Sequence, residues 1–342
     1  MRLLALPFAA FLLTGCAHRP DAAPVAAATP SAPHLPAPVA DLYVRHLGQT
    51  PDPLVAQVLG TRAWEEVLSG AATALALKAA SRAEVDPSEA RWAAVRAGYP
   101  YPVTGVQILH APYDSLPTLA VPATGDVGLV RARGADDDVW VMLHGEGGPE
   151  LPPVPREVQV GDFVALSSAE WQASNPYGDP KPVVGGVVFD EEGEWLLQAS
   201  VGGRVVASLP VYVGEKTPER YPFVGQLKGD NPEDAAFNAI AAVWDWYGRP
   251  APVRDSGMDS VARVRLRDLA TGSAGKPSSA LLAHAGFVGG GSECEAESLR
   301  ACLEQMWWSP QQRLIYAGDY DSVGVATMSD GQGVRVVVLG AR

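Results

Sequence analysis

Few residues in this chain are placed to do chemistry. Of its six histidines, His18 and His34 lie in a low-complexity start, which leaves His46, His110, His144 and His284 in sequence able to fold. His144-Gly145-Glu146 follows an apolar run ending at Leu143 and could position a base, but no Gly-x-Ser-x-Gly elbow or His-x-x-x-His pair accompanies it. His284 sits just before Ala285-Gly286-Phe287, at the end of an expected helix, where a partly buried structural histidine is the commoner outcome. Glu293, Glu295 and Glu297 crowd one stretch and suit either a set of carboxylate ligands or acids favouring a helix N-terminus. Gly289-Gly290-Gly291 precedes them, yet no Lys-Ser/Thr follows and no strand is expected to lead in, so it reads as a flexible loop rather than an anion cradle. The aromatic set Trp244, Trp246, Tyr247, Trp307 and Trp308 reads as core before ligand platform.

The start of the chain bears on these groups through the compartment it implies. Met1-Arg2 and a short apolar run ending Leu13-Thr14-Gly15-Cys16 form an export signal, too short to span a bilayer. Leu-x-Gly-Cys here resembles the lipobox of bacterial lipoproteins, which implies cleavage before Cys16 and lipidation of that cysteine. At roughly 0.8 kcal/mol per buried methylene, more than one acyl chain anchors stably. Ala17, not Asp, follows the cysteine, which in the usual Gram-negative pattern implies the outer membrane. From Ala17 to about Val39 the chain is Ala and Pro with almost no large apolar side chains, a tether. In an oxidising compartment the remaining cysteines, Cys294 and Cys302, are a candidate disulfide, and no Cys-x-x-Cys suggests zinc or redox chemistry. On one helix they would be roughly 12 Å apart at about 1.5 Å rise per residue, so a bridge requires Cys294 in the loop before the helix.

The elements that must position these groups fall into three parts. The chain has 342 residues, 47% of them hydrophobic, enough for two or three cores. Its net charge of −13 argues against nucleic acid and against an electrostatic hold on anionic lipid. Asp126 to Val130, a turn, and Val139 to Leu143 make a hairpin, and Val323-Gly324-Val325-Ala326 with Val334 to Leu339 repeats it. Upstream of each copy Pro87-Ser88-Glu89-Ala90 and Pro277-Ser278-Ser279-Ala280 also match, so two related halves are expected to flank a middle that matches neither. The first half should carry short helices over Leu42 to Leu59, an amphipathic helix from Thr61 as N-cap through Lys78, a helix from Asp86-Pro87 to Gly98, and irregular chain from Tyr99 to Pro122. After a Pro-rich linker at 149–155, short β-rich runs between Glu157 and Val213 predict a small antiparallel β-sandwich burying Trp195 and Leu197. The second half should hold helices from Asn231-Pro232 to Tyr247, from Asp255 or Ser256 to Leu269, from Pro277 to Ala285 and from about Glu295 to Trp308.

Phe237-Asn238, Val261-Ala262-Arg263, Ser309-Pro310-Gln311-Gln312-Arg313 and Val323-Gly324-Val325-Ala326 together resemble the CAP superfamily of cysteine-rich secretory and pathogenesis-related proteins. The resemblance covers the last 110 residues or so and is faint over Asp52 to Leu143, which lacks a Ser-Pro-x-x-Arg segment. It implies an α-β-α sandwich with a shallow cavity of two His and two acidic residues able to bind a divalent metal. Carried over, the cavity histidines fall at Arg265 and Gln312, neither a fit ligand, with Glu293, Glu295 or His284 as remaining candidates.

The expectation is an α+β protein: a CAP-like α-β-α sandwich at 217–342, a small antiparallel β-sandwich at 150–216, a degenerate CAP-like α+β half at 41–148, a tether at 16–40 and a lipoprotein signal at 1–15. Its function is read as non-catalytic binding or scaffolding in the cell envelope, as a lipid-anchored pseudoenzyme with no catalytic residue, no metal and no cofactor. The partners are the membrane, through Cys16, and an envelope ligand or protein. A hydrolase or metal-dependent enzyme with a remodelled cavity, and an architectural subunit of an envelope complex, are the rival readings. The anchor is tested by fractionation: wild type is expected to stay with membranes after a high-salt wash and Cys16→Ala to be released, and a variant that still pellets contradicts lipidation.

Overall fold

The computed structural model describes residue 33 and residues 41–86, 88–175, 180–223, 227–272, 275–318, 320–331 and 333–342. The signal, Cys16, His18, His34 and nearly all of the tether lie outside them. The architecture is mixed α+β in two compact units, one ending at Arg156 and one running from Glu157 to Arg342.

In the first unit, short strands β1 (Leu42–Tyr43) and β2 (Leu47–Gly48) lead to α1 (Pro53–Leu59), β3 (Trp64–Glu65), α2 (Glu66–Ala80) and α3 (Glu89–Ala97). Then come β4 (Val103–Ala111), β5 (Asp126–Arg133), β6 (Asp138–Gly145) and β7 (Val154–Pro155). The sheet order is β4-β6-β5, all antiparallel, with the predicted hairpin at its heart. Alternation sends Val130, Ala132, Val139, Val141 and Leu143 against α2 and α3, and Val127, Leu129, Trp140 and Met142 against α1 and Trp64. The linker segment pairs back: Val154–Pro155 bonds with Leu42–Tyr43.

Three expectations change here. Helix α2 begins at Glu66, not after Thr61, because Trp64–Glu65 is drawn into a bridge with Leu47–Gly48 and Glu65 caps the helix by accepting from the Leu68 N–H. Burial pushes the Glu65 carboxyl up to about 7. Helix α3 begins at Glu89, after a Ser88 whose hydroxyl donates to Asp86 rather than capping the helix, and is closed, as expected, by Gly98 in the left-handed region. Residues 103–111, expected to be irregular, form β4, an edge strand whose half-exposed face and internal Gly105 blur the alternation.

The second unit opens with β8 (Glu157–Val158), β9 (Phe163–Ala165), β10 (Glu170–Ser174), β11 (Lys181–Val183), β12 (Gly186–Val188), β13 (Gly193–Val201) and β14 (Arg204–Val213). They form a five-stranded sheet β11-β10-β13-β14-β8 and a separate pair β12-β9. One pairing, β14 with β8, is parallel, a departure from the all-antiparallel sandwich expected. Trp195 and Leu197 are buried as predicted, but so are Glu194, Leu196 and Gln198, so β13 is covered on both faces.

The rest of the unit is α4 (Pro232–Trp246), β15 (Val253–Arg254), α5 (Ser256–Ala270), α6 (Ser278–His284), β16 (Gly289–Ala296), α7 (Leu299–Trp307), α8 (Leu314–Ala317), β17 (Ser322–Ser329) and β18 (Val334–Ala341). The sheet runs β15-β17-β18-β16. One face, with Ala326, Val337, Leu339 and Ala341, packs on α5 and α6, while Val323, Val325, Val336 and Val338 are buried on the other. The triple glycine is not a loop: Gly289 to Ala296 pairs residue for residue with β18, and a Cβ at Gly289 would strike the Gly340 carbonyl at 1.9 Å. Glu293 and Glu295 are accordingly strand residues, and α7 starts four residues after Glu295 with Ser298 as cap.

The suspected repeat has a structural basis. In the first unit Gly128 of β5 lies against the opening of α2, where a Cβ would sit 2.5 Å from the Leu68 carbonyl carbon, and the next residue, Leu129, donates its N–H to Ser69 Oγ at 3.1 Å. In the second, Gly324 of β17 lies against the opening of α5, 2.4 Å from the Met258 carbonyl carbon, and Val325 donates to Asp259 Oδ1 at 2.7 Å. Each helix thus closes onto a strand at its opening turn through a missing side chain and one backbone-to-side-chain bond. Gly128→Ala and Gly324→Ala are each expected to cost about 1–3 kcal/mol in chemical denaturation, against a near-neutral Gly105→Ala, whose methyl would meet only His144 Cβ at 3.7 Å.

Candidate functional site

The residues expected around one cavity are divided by the sheet of the second unit. Glu293 and Glu295 point to the α5/α6 side of β16, and Ser292 and Cys294 to the opposite side, because successive strand residues alternate.

On the first side Arg265, from α5, meets Glu293 in a two-pronged pair: Nε to Oε1 at 2.6 Å and Nη2 to Oε2 at 2.9 Å. Ser278 Oγ, at the start of α6, donates to the same Oε1 at 2.8 Å. Arg265 Nη1 also reaches the Lys276 carbonyl at 3.3 Å. Although burial opposes its charge, hydrogen bonds from Arg265 and Ser278 hold the Glu293 carboxyl below its ordinary range. Arg265 is therefore the partner of a carboxylate from the Glu293 to Glu297 stretch. Its guanidinium occupies both oxygens that a metal would need.

The other candidates lie apart from this pair. Gln312 sits across the sheet, where its backbone carbonyl accepts from Ser292 Oγ at 2.5 Å, so Gln312 and Arg265 do not face one cavity. Glu295 is mostly exposed and forms a cross-strand pair with Arg335 at 3.1 Å. His284 is exposed at the end of α6 and does not reach the pair. Cys294 on β16 and Cys302 on α7 are both buried free thiols here, not the candidate disulfide. Cys294 donates to Gln305 Oε1 at 3.5 Å and Cys302 to the Val334 carbonyl at 3.4 Å. The neighbouring Cys302 thiol, with burial, raises the Cys294 thiol far above its usual range. Among the described residues, no group of three or more His, Cys, Asp and Glu side chains could hold a metal ion.

A second cluster was not foreseen. Arg313, last residue of the Ser-Pro-Gln-Gln-Arg segment, is buried and places Nη2 3.0 Å from Oε1 of Glu194, on β13. The two side chains are 1% and 4% exposed, and the segment and strand are 119 residues apart. Tyr247, the C-cap of α4, completes the group: its hydroxyl donates to Glu194 Oε2 at 3.0 Å and accepts from Arg313 Nη2 at 3.0 Å and from Trp307 Nε1 at 2.8 Å. Burial pushes Glu194 up despite Arg313, and pushes Tyr247 up with help from Glu194. Burial works against Arg313's charge too, but Tyr247 and Glu194 more than offset it. Beside the cluster, Gln311 Nε2 donates to Gln172 Oε1 of β10 at 2.7 Å. The β-rich segment and the helices after it are thus joined by a buried ion pair.

The aromatic set is divided as well. Trp244, Trp307 and Trp308 are core, but Trp246 and Tyr247 are only half-buried, beside Arg313.

No described protein family matches the sequence, and no curated protein does. Among solved structures, the chain aligns with a cysteine-rich secretory protein from Staphylococcus aureus subsp. aureus Mu50 at 11% identity and a TM-score of 0.28, over 72% of this chain and 89% of that one. It also aligns with an extracellular protein containing a SCP domain from Bacillus anthracis str. Ames at 14% identity and a TM-score of 0.25, over 72% of this chain and 90% of that one.

The buried pair makes a pH-dependent prediction. Arg313→Met should cost about 3–5 kcal/mol at pH 8, because it strands a buried carboxylate. A carboxyl whose folded-state pKa is raised stabilises most below its unfolded value near 4.5 and loses that contribution as pH rises, so the penalty should shrink towards pH 4.5. Denaturation of variant and wild type at both pH values checks this.

Proposed function

We propose that the chain is a non-catalytic, lipid-anchored protein of the cell envelope, with a CAP-like C-terminal half that binds or scaffolds and has exchanged its metal site for an ion pair. The observation that carries this reading is the Arg265–Glu293 pair. The CAP resemblance assigns a cavity histidine to position 265. A guanidinium there has no lone pair for a metal, and it saturates the nearest carboxylate with help from Ser278. A divalent cation would have to displace a fixed positive charge from a two-pronged bond and then find ligands among residues that do not converge.

The lipid anchor follows from the Leu-x-Gly-Cys sequence at Cys16, and the tether of Ala and Pro would hold the folded part away from the bilayer. Among the described residues no helix is long and apolar enough to cross a membrane, so attachment at Cys16 is the membrane contact this reading uses.

Calorimetric titration with zinc tests the metal claim. The reading expects no saturable binding tighter than about micromolar, roughly −8 kcal/mol. One-to-one binding at that strength, abolished by Glu293→Gln, would mean the cavity still works as a metal site.

A further inference from the structure

Next to the Glu194–Arg313 pair the second unit has a cavity of about 400 Å³, within the range of small-molecule sites. Its lining includes Glu194, Tyr212, Glu215, Trp246, Tyr247 and Arg313. The observation that points to a ligand is Arg313 itself. Its Nη2 is engaged by Glu194 and Tyr247, but Nε and Nη1 have no hydrogen-bond partner among the described residues, in a side chain that is 1% exposed. Buried guanidinium donors without an acceptor are costly, and a native structure retains such groups where something else satisfies them.

We infer that this cavity binds a neutral sugar of one or two rings carrying an amide carbonyl. The charge balance argues for neutrality: Glu194 already compensates Arg313, and a ligand carboxylate or phosphate at Nε or Nη1 would lie beside the Glu194 carboxylate and near that of Glu215. An amide carbonyl is a strong neutral acceptor and suits the two orphaned donors. The carboxylates of Glu194 and Glu215 retain acceptor capacity, so the ligand must donate as well, as ring hydroxyls do. The half-buried indole of Trp246, its Nε1 spent on the Arg220 carbonyl at 2.9 Å and its ring in edge-to-face contact with Tyr247 and Trp307, adds an apolar wall to the cavity that suits the C–H side of a ring. Arg249, also at the cavity, is committed elsewhere: Nη1 donates to the Tyr316 carbonyl at 2.8 Å and the guanidinium lies 4.1 Å over Trp244.

This inference rests on the reading of the chain as a binding module, but it uses none of the Arg265 residues, so the zinc and sugar experiments fail separately.

The test is calorimetric titration of the full chain with N,N′-diacetylchitobiose, with glutamate and inorganic phosphate as charged controls. One-to-one binding with Kd of about 1 mM or tighter is expected for the disaccharide alone. Trp246→Ala, at a half-exposed position, should weaken it about tenfold or more. Arg313→Lys, which keeps the charge for Glu194 but removes the two orphaned donors, should do the same. Co-sedimentation with insoluble cell-wall glycan separates the sources: retention assigns the ligand to the polymer, and release with disaccharide binding intact assigns it to a free sugar. No heat from the disaccharide up to about 20 mM, binding of glutamate or phosphate instead, or unchanged binding by Trp246→Ala overturns the inference.

Discussion

The buried Arg313–Glu194 pair sets the terms for the rest of the second unit. Removing two charges from water is costly, and their attraction recovers that cost only with good geometry and further hydrogen bonds. Tyr247 provides those bonds by joining both partners, and Trp307 holds Tyr247 in turn. The network thereby fixes three separate stretches at once: strand β13, the end of α4 and the segment after α7. It also leaves part of the guanidinium without a hydrogen-bond partner among the described residues, at the edge of a cavity. One interaction therefore accounts for the attachment of the β-rich segment and for one wall of the cavity beside it.

The two halves of the chain share a simpler device. In each, a hairpin strand gives up a side chain at Gly128 or Gly324 so that the first turn of a helix can approach the backbone, and the following N–H bonds back to Ser69 or Asp259. What differs is what surrounds it. The first half buries Arg131 among Asp52, Asp114 and Asp138, tying the α1 cap to the hairpin. The second half uses Asp259 twice, for Val325 and for Arg254, whose guanidinium also reaches Glu233 and Asp234. The same docking recurs with unlike charge networks around it.

Much of this was legible in the sequence where a local rule carries it. The Asn231-Pro232 and Asp255 caps, the left-handed Gly98 and both Val-Gly-aliphatic hairpins are set by neighbours within a few residues, and they fold as expected. The Arg265–Glu293 pair was only partly within reach: one stretch was rich in carboxylates, but no local pattern says that Arg265 turns towards it rather than to solvent like Arg267. Strand β16 was not legible: three glycines and three glutamates carry the composition of a loop, and only the close approach of β18 gives the glycines their role. Strand β4 was hidden by its edge position. Nor could any local pattern join Arg313 to Glu194, which reads in sequence as the polar position of an alternating strand; the only hint was the Ser-Pro-x-x-Arg segment ending in a cation with no local partner.

A double-mutant cycle on the pair is the most direct test of this account. Stabilities of wild type, Glu194→Gln, Arg313→Met and the double variant would be measured at pH 8. If the pair is the constraint that holds the second unit together, the double variant should be more stable than the sum of the single losses predicts, with a coupling of about 2 kcal/mol or more. Losses that add to within about 0.5 kcal/mol would show that the two side chains are buried independently, and the account would fail.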